Sequence, residues 1–75
     1  MHRAGTVARI AQGLLVVRSP DESHPDIGMV VVDENLQDVG QVVDVFGPVD
    51  RPYLAVTPED SIHPPTLLNE PLYVN

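Results

Sequence analysis

The chain has 75 residues, which is enough for one small domain. It has no cysteine, so disulfides and thiolate metal sites are excluded. Eleven acidic residues against four arginines and no lysine give a net charge of −7, without the basic stripe that usually supplies affinity for nucleic acid. The apolar residues, 43% of the chain, are mostly Val, Leu, Ile and Ala, a composition typical of a globular β domain rather than of a disordered segment.

The first third of the chain predicts a β-hairpin followed by a loop. Residues 4–11 alternate loosely between apolar and polar side chains, and residues 14–18, "LLVVR", form a short apolar run rich in valine. The glycine-containing pair Gln12-Gly13 between them is typical of a tight turn. Residues 19–26, "SPDESHPD", contain two prolines and predict a surface loop, since proline cannot donate to a strand ladder.

The middle of the chain predicts three more strands. Residues 27–33, "IGMVVVD", are the third, and residues 34–38 form a turn or one short helical turn. Residues 39–47, "VGQVVDVFG", are the fourth strand, with a glycine bend or bulge expected at Gly40. Residues 53–58, "YLAVTP", are the fifth.

The last segment predicts a loop and a closing strand. Residues 59–69 are polar and rich in proline, so they form a loop, and residues 71–74, "PLYV", form a sixth strand. Nowhere does the apolar pattern follow a long helical period. Residues 1–75 are expected to form one domain, and Met1 together with the end "PLYVN" favours a complete chain.

Six short strands without helices predict an all-β fold, a small closed six-stranded antiparallel β-barrel. Closing the sheet removes its exposed edges and gives its apolar face a buried interior. Strand alternation selects a set of inward-facing residues, although a one-residue error in phase would exchange the two faces. The predicted core residues are Val7, Ile10, Leu15, Val17, Val31, Val43 and Leu54.

The residue patterns indicate no catalytic chemistry. The histidines His2, His24 and His63 are far apart in sequence, lack the pairing of a metal motif and are expected to be exposed. The acidic residues clustered in loops lack calcium-loop spacing and are typical of a solvated face; they are Asp21, Glu22, Asp26, Asp33 and Glu34. No glycine-rich phosphate loop and no recognisable nucleophile is present, and a barrel this small fills its own interior. We therefore expect no enzyme activity, no cofactor and no metal.

Signals for export or membrane insertion are also missing from the pattern. The N-terminal stretch has no apolar core of signal-peptide length, and the runs "LLVV" and "MVVV" are too short to span a bilayer. A cytoplasmic location is expected. The acidic surface fits a protein from a high-salt cytoplasm and equally an ordinary protein kept soluble by its charge.

The segment "FGPVDRPY", residues 46–53, combines a stiff backbone with apolar side chains. Glycine and prolines restrain the chain while Phe46, Val49 and Tyr53 supply apolar area, and aromatic residues on a stiff backbone make low-entropy anchors for a partner. Two interpretations of Phe46 stay open at this point. It either plugs one end of the barrel or lies at an interface.

The sequence resembles the archaeal Gar subunit of box H/ACA ribonucleoproteins, the particles that carry out RNA-guided pseudouridylation. The resemblance covers nearly the whole chain through "GTVARIAQGLLVVR", "VVVDENLQDVGQVVDVFGPVDRPYLAV" and "EPLYV". The most specific part is the central motif, which the chain matches with Gly40, Val42, Asp44, Val45, Phe46, Gly47, Pro48, Val49, Pro52 and Tyr53. The basic tails found in many relatives have no counterpart in this sequence.

The resemblance implies a six-stranded barrel like those of translation-factor β domains and a non-catalytic role. It implies that a monomeric subunit docks on the TruB-type, dyskerin-like pseudouridine synthase, aids substrate loading and product release, and meets guide RNA only indirectly. The expected partner-binding residues are Val45, Phe46, Gly47, Pro48, Val49, Pro52 and Tyr53. Two alternatives remain: the related assembly factor of the same particle, which is usually larger, and a ribosome-maturation or translation-factor barrel.

Overall fold

The computed structural model describes residues 2–74 as six antiparallel strands that close into a barrel in the order β1-β2-β5-β4-β3-β6. The all-β barrel is the fold expected from the sequence. The expected domain, residues 1–75, extends one residue beyond the described part at each end. The elements are β1 (His2–Ala11), β2 (Leu14–Arg18), β3 (Val30–Val32), β4 (Asp38–Phe46), β5 (Tyr53–Pro58), a 3₁₀ turn (Pro64–Leu67) and β6 (Pro71–Val74).

The third strand is shorter than predicted. Regular pairing begins only at Val30, because residues 26–29 form a turn in which the Met29 N–H donates to the Asp26 carbonyl at 3.1 Å and Gly28 adopts φ +98°. The segment before it still follows β4: the Gly28 N–H donates to the Val42 carbonyl at 2.8 Å, and the Val42 N–H donates to the Met29 carbonyl at 2.9 Å. β3 meets β6 through one residue pair, Val32 and Tyr73, so the barrel closes along a short seam.

The core confirms five of the predicted positions, namely Val7, Leu15, Val17, Val31 and Leu54. Ile10 is half-buried and packs against the core. The prediction of Val43 as a core residue was wrong, because its side chain is 43% exposed while that of its neighbour Val42 is buried. The remaining members of the buried cluster are Ala4, Val39, Val42, Val56, Leu72 and Val74.

A bulge in β4 explains the error at Val43. Val42 pairs with Val56 on β5, but the next pair is Asp44 with Ala55, so Val43 is the extra residue. Val42 and Val45 therefore both face the core although they are three residues apart, and Val43 between them points outward, which strict alternation does not allow.

The irregularity predicted at Gly40 is also present. Pairing between β3 and β4 steps from Val31–Gly40 to Val32–Asp38, which places a second bulge beside the glycine. A Cβ atom at Gly40 would lie 2.2 Å from the backbone oxygen of Thr57 on β5. The glycine therefore allows two strands to approach more closely than any side chain permits.

We expect Gly40→Ala to lower the free energy of unfolding by about 3 kcal/mol, the upper end of overpacking costs, because the clashing atom is backbone and cannot rotate away. Gly13→Ala is the matched control: a Cβ there meets nothing within 4 Å. Its positive φ of +76° should cost about 1–2 kcal/mol. Urea unfolding of both variants measures the difference, and a smaller loss for Gly40→Ala than for Gly13→Ala would contradict the close-approach argument.

The antiparallel order sends successive connections to alternate ends of the barrel. We call one the Tyr53 end; it comprises the start of β1, residues 19–29, residues 47–52 and the end of β6. The other, the Leu36 end, comprises the turn at 12–13, residues 33–37 and residues 59–70. Within residues 2–74, no helix has the length and apolar character that crossing a membrane requires.

Candidate protein-docking site

The connection between β4 and β5 is held firmly against the end of β2. The Ser19 N–H donates to the Pro52 carbonyl at 2.9 Å, and Nε of Arg51 donates back to the Ser19 carbonyl at 3.1 Å. Within the loop, the Arg51 N–H donates to the Pro48 carbonyl at 3.3 Å. Pro52 and Ser19 are both buried. These contacts restrict the conformations that the loop can adopt before any partner arrives.

Tyr53 lies between two neighbours on the strands that flank β5. It pairs with Arg18 on β2 and with Phe46 on β4. Its ring stacks with that of Phe46 at a centroid distance of 5.6 Å and an interplanar angle of 19°. The guanidinium carbon of Arg18 lies 4.6 Å from the Tyr53 ring centroid, while Arg18 Nη1 donates to the phenol oxygen at 2.6 Å. The row Arg18–Tyr53–Phe46 combines aromatic stacking with a cation–π contact.

Gly47 allows the loop to leave this row without displacing the tyrosine. Its φ of +88° lies in the left-handed region, and a Cβ atom there would approach Cδ2 of Tyr53 to 3.0 Å. The following Pro48 fixes its own backbone φ. The pair therefore turns the chain sharply directly after Phe46.

Exposure separates the seven expected partner-binding residues into two groups. Val49 is 89% exposed and Phe46 is 41% exposed, Gly47 and Pro48 are exposed with them, and Tyr53 is half-buried. Val45 packs against the core and Pro52 is buried, so these two support the loop from beneath. Phe46 is outside the buried core cluster, and the interpretation of it as a barrel plug was wrong.

The apolar surface is concentrated at the same end of the barrel. Six of the eight most exposed large apolar side chains of residues 2–74 lie at the Tyr53 end or in the half of a strand nearest to it. They are Ile27, Met29, Val30, Val43, Phe46 and Val49. The other two, Leu36 and Leu68, lie at the Leu36 end. The sequence did not reveal this grouping, because residues 27–30 and 43–49 become neighbours only through the strand order.

Negative charge is concentrated at the Leu36 end, opposite to the end that has most of the exposed apolar side chains. When each strand residue is counted with the nearer end, the Tyr53 end has three arginines and five acidic residues, net −2, and the Leu36 end has one arginine and six acidic residues, net −5. The first group is Arg3, Arg18, Arg51, Asp21, Glu22, Asp26, Asp44 and Asp50; the second is Arg9, Asp33, Glu34, Asp38, Glu59, Asp60 and Glu70. Exposed apolar area thus coincides with the less acidic end.

The histidines are exposed, as expected, but two of them are closer than the sequence suggested. His2 and His24 line one cleft at the Tyr53 end, together with Arg3, whereas His63 lies at the Leu36 end. Over residues 2–74, no group of three or more histidine, cysteine or acidic side chains is arranged to hold a metal ion.

A family model described as "Gar1/Naf1 RNA binding region" matches residues 1–75, which is the whole chain. The chain belongs to the Gar1/Naf1 family. Family membership makes it an RNA-associated protein of the H/ACA ribonucleoprotein system. The resemblance inferred from the central motif is therefore confirmed.

Two archaeal proteins are similar to this Gar1/Naf1 chain, and both are described as uncharacterized. One, from Methanothermobacter thermautotrophicus, is 30% identical over 78 aligned residues, covering 99% of this chain and 83% of the relative. The other, from Methanocaldococcus jannaschii, is 43% identical over 47 residues, covering 63% of this chain and 54% of the relative. The second match thus spans about half of that relative's length.

Proposed function

We propose that this protein is a non-catalytic subunit of the H/ACA particle that docks on the TruB/dyskerin-type pseudouridine synthase through the Tyr53 end. The observation that carries the proposal is Val49, an apolar side chain that is 89% exposed on a loop that Arg51 and Pro52 tie to Ser19. Exposed apolar area on a restrained backbone is costly to keep in water and favourable to bury against a partner.

The surroundings of Val49 suit a specific complex. Phe46 and Tyr53 extend the apolar area beside it, and the stack between their rings limits the rotamers that binding must freeze. A specific complex buries about 800 Å² on each partner, so residues 45–53 would form its centre and other exposed groups of the Tyr53 end its rim. Arg18 and Arg51 would face acidic groups of the synthase there.

The distribution of charge favours indirect contact with RNA. Since a net charge of −7 opposes the approach of phosphate groups, the synthase would supply most of the RNA contacts. The Leu36 end, with a net charge of −5, would point away from the nucleic acid.

The proposed contribution to the reaction is indirect. A docked subunit changes the rate of its partner only by binding one conformation of a mobile element more tightly than another. We place that element beside the active site of the synthase, as a loop that grips substrate RNA. By shifting this loop, the subunit would aid substrate loading and product release.

One affinity-capture experiment tests both parts of the proposal. The tagged chain should retain the pseudouridine synthase from the same source without RNA, and it should not retain guide RNA at micromolar concentration and moderate salt without the synthase. Capture of the synthase only when RNA is added would contradict direct docking. Tight capture of RNA by the chain alone would contradict the division of roles.

A further inference from the structure

A cleft at the Tyr53 end brings one arginine and two histidines together in an otherwise acidic protein. It has a volume of about 190 Å³, more than ten times the roughly 10–15 Å³ needed to seat one water molecule. His2 and Arg3 enter from β1, and Ser23, His24 and Asp26 enter from the segment between β2 and β3. Met29 and Val74 contribute apolar walls.

The side chains of this cleft suit an anion with several acceptor oxygens. Arg3 uses one terminal nitrogen to donate to Oγ1 of Thr6 at 2.7 Å, which leaves other N–H groups of its guanidinium for a ligand. Ser23 adds a hydroxyl donor. Of the lining residues with charged or titratable side chains, Asp26 is the one acid, against Arg3 and two histidines.

The hydrogen bond of His24 decides which ring nitrogen remains for a ligand. Its Nδ1 lies 2.9 Å from the Pro25 carbonyl, which can only accept, so Nδ1 carries a hydrogen. Nε2 is then an acceptor in the neutral ring and becomes a donor when the imidazole is protonated. An anion in the cleft therefore gains a donor from Nε2 only when the ring is protonated.

We propose that the cleft lined by His2, Arg3 and His24 is a phosphate-binding site that takes one phosphodiester group of RNA. A phosphodiester stays singly charged and offers acceptor oxygens to guanidinium, imidazolium and hydroxyl donors. RNA is favoured over an acidic peptide because the family model that matches the whole chain is described as an RNA binding region.

A single-phosphate site agrees with weak RNA binding by the isolated chain. Proteins with several phosphate contacts bind nucleic acid non-specifically with a Kd of about 10⁻⁴–10⁻⁶ M. For one contact in an acidic protein we therefore expect a Kd near millimolar. A subunit already held in a particle meets nearby RNA at an effective concentration of the order of millimolar, which is enough to use such a contact. The site itself does not depend on the docking proposal, because the chain alone suffices to test it.

The test is a titration of the isotopically labelled chain, followed by NMR at its three imidazoles. The probes are a uridine 12-mer, dimethyl phosphate, which carries one negative charge, and acetate, which is a carboxylate. At pH 6 we expect dimethyl phosphate and the 12-mer to shift the signals of His2 and His24 and not that of His63. The affinity for the 12-mer should depend on salt with a slope near −0.7, the value for one phosphate of a single strand.

Matched variants test the assignment of the residues. Arg3→Gln and His24→Gln should each weaken binding of the 12-mer by about three- to tenfold, in line with the loss of a phosphate contact. Asp26→Asn should strengthen it. Arg9→Gln and His63→Gln remove the same side-chain types near the Leu36 end and should change nothing.

Three results would overturn the proposal. The first is equal shifts at all three histidines, which would indicate non-specific attraction. The second is an equal loss for Arg9→Gln and Arg3→Gln. The third is a response to acetate as large as that to dimethyl phosphate, which would point to an acidic protein segment instead of RNA.

Discussion

Adding this subunit to the reconstituted particle is expected to accelerate multiple-turnover pseudouridylation by about fivefold or more and single-turnover chemistry much less. The factor corresponds to the lower edge of usual coupling energies between two binding events, 1–3 kcal/mol. Opening of a loop or release of product often limits turnover, and a docked subunit that favours one loop conformation acts on that step. The Tyr53 end would reach the mobile loop from outside without entering the catalytic pocket.

Two kinetic runs separate an effect on turnover from an effect on the chemical step. One has substrate RNA in excess and the other has the particle in excess. Val49→Asp supplies the control subunit, because it should dock poorly and therefore accelerate neither run. Equal acceleration in both runs would point to an effect on substrate positioning or on chemistry. Acceleration in neither would leave a purely structural subunit and contradict the proposed role in substrate loading and product release.

Tyr53→Ala is expected to weaken binding to the synthase by on the order of 1–3 kcal/mol, within the range of interface anchors. The half-buried ring supplies contact area, and its removal also leaves Phe46 without the partner on which it stacks. Arg18 loses both its cation–π contact and its hydrogen bond to the phenol oxygen. The row then loses the contacts that hold its rotamers.

Tyr53→Phe is the matched control for that change. It retains the ring stack and removes only the hydrogen bond with Arg18, so its loss of affinity should be clearly smaller. Calorimetric titration measures both affinities, after circular dichroism has established that both variants are folded. Wild-type affinity in folded Tyr53→Ala would reject Tyr53 as a contact residue and as a support for Phe46.

Much of the fold could be predicted because short apolar strands with polar connections leave few alternatives to a closed barrel. The errors come from departures from regular pairing. The bulge at Val43 changes the phase of β4, and Gly28 delays the start of β3. A prediction from alternating apolar and polar residues assumes a regular strand. A bulge depends on how the neighbouring strands pair, and the local sequence pattern does not contain that information.

The candidate site could be predicted only where it is continuous in sequence. Residues 46–53 combine aromatic, glycine and proline residues within one segment, from which the sequence predicted a stiff loop with apolar side chains; in the structure Phe46 and Val49 are exposed there. The contribution of Ile27 and Met29 to the same end, and the meeting of His2 with His24, depend on the strand order. Such groupings become visible only once the barrel is closed.

The most direct test of docking through the Tyr53 end is a paired calorimetric titration of the synthase with Val49→Asp and Leu36→Asp. Each variant adds one negative charge at an exposed apolar position, 89% exposed in the first and 56% in the second, at opposite ends of the barrel. Leu36 has φ +64°, which aspartate tolerates well, so the control should fold. Docking at the Tyr53 end predicts a loss of at least about tenfold, or about 1.4 kcal/mol, for Val49→Asp and almost none for Leu36→Asp. Equal losses for the two variants, or a loss confined to Leu36→Asp, would contradict it.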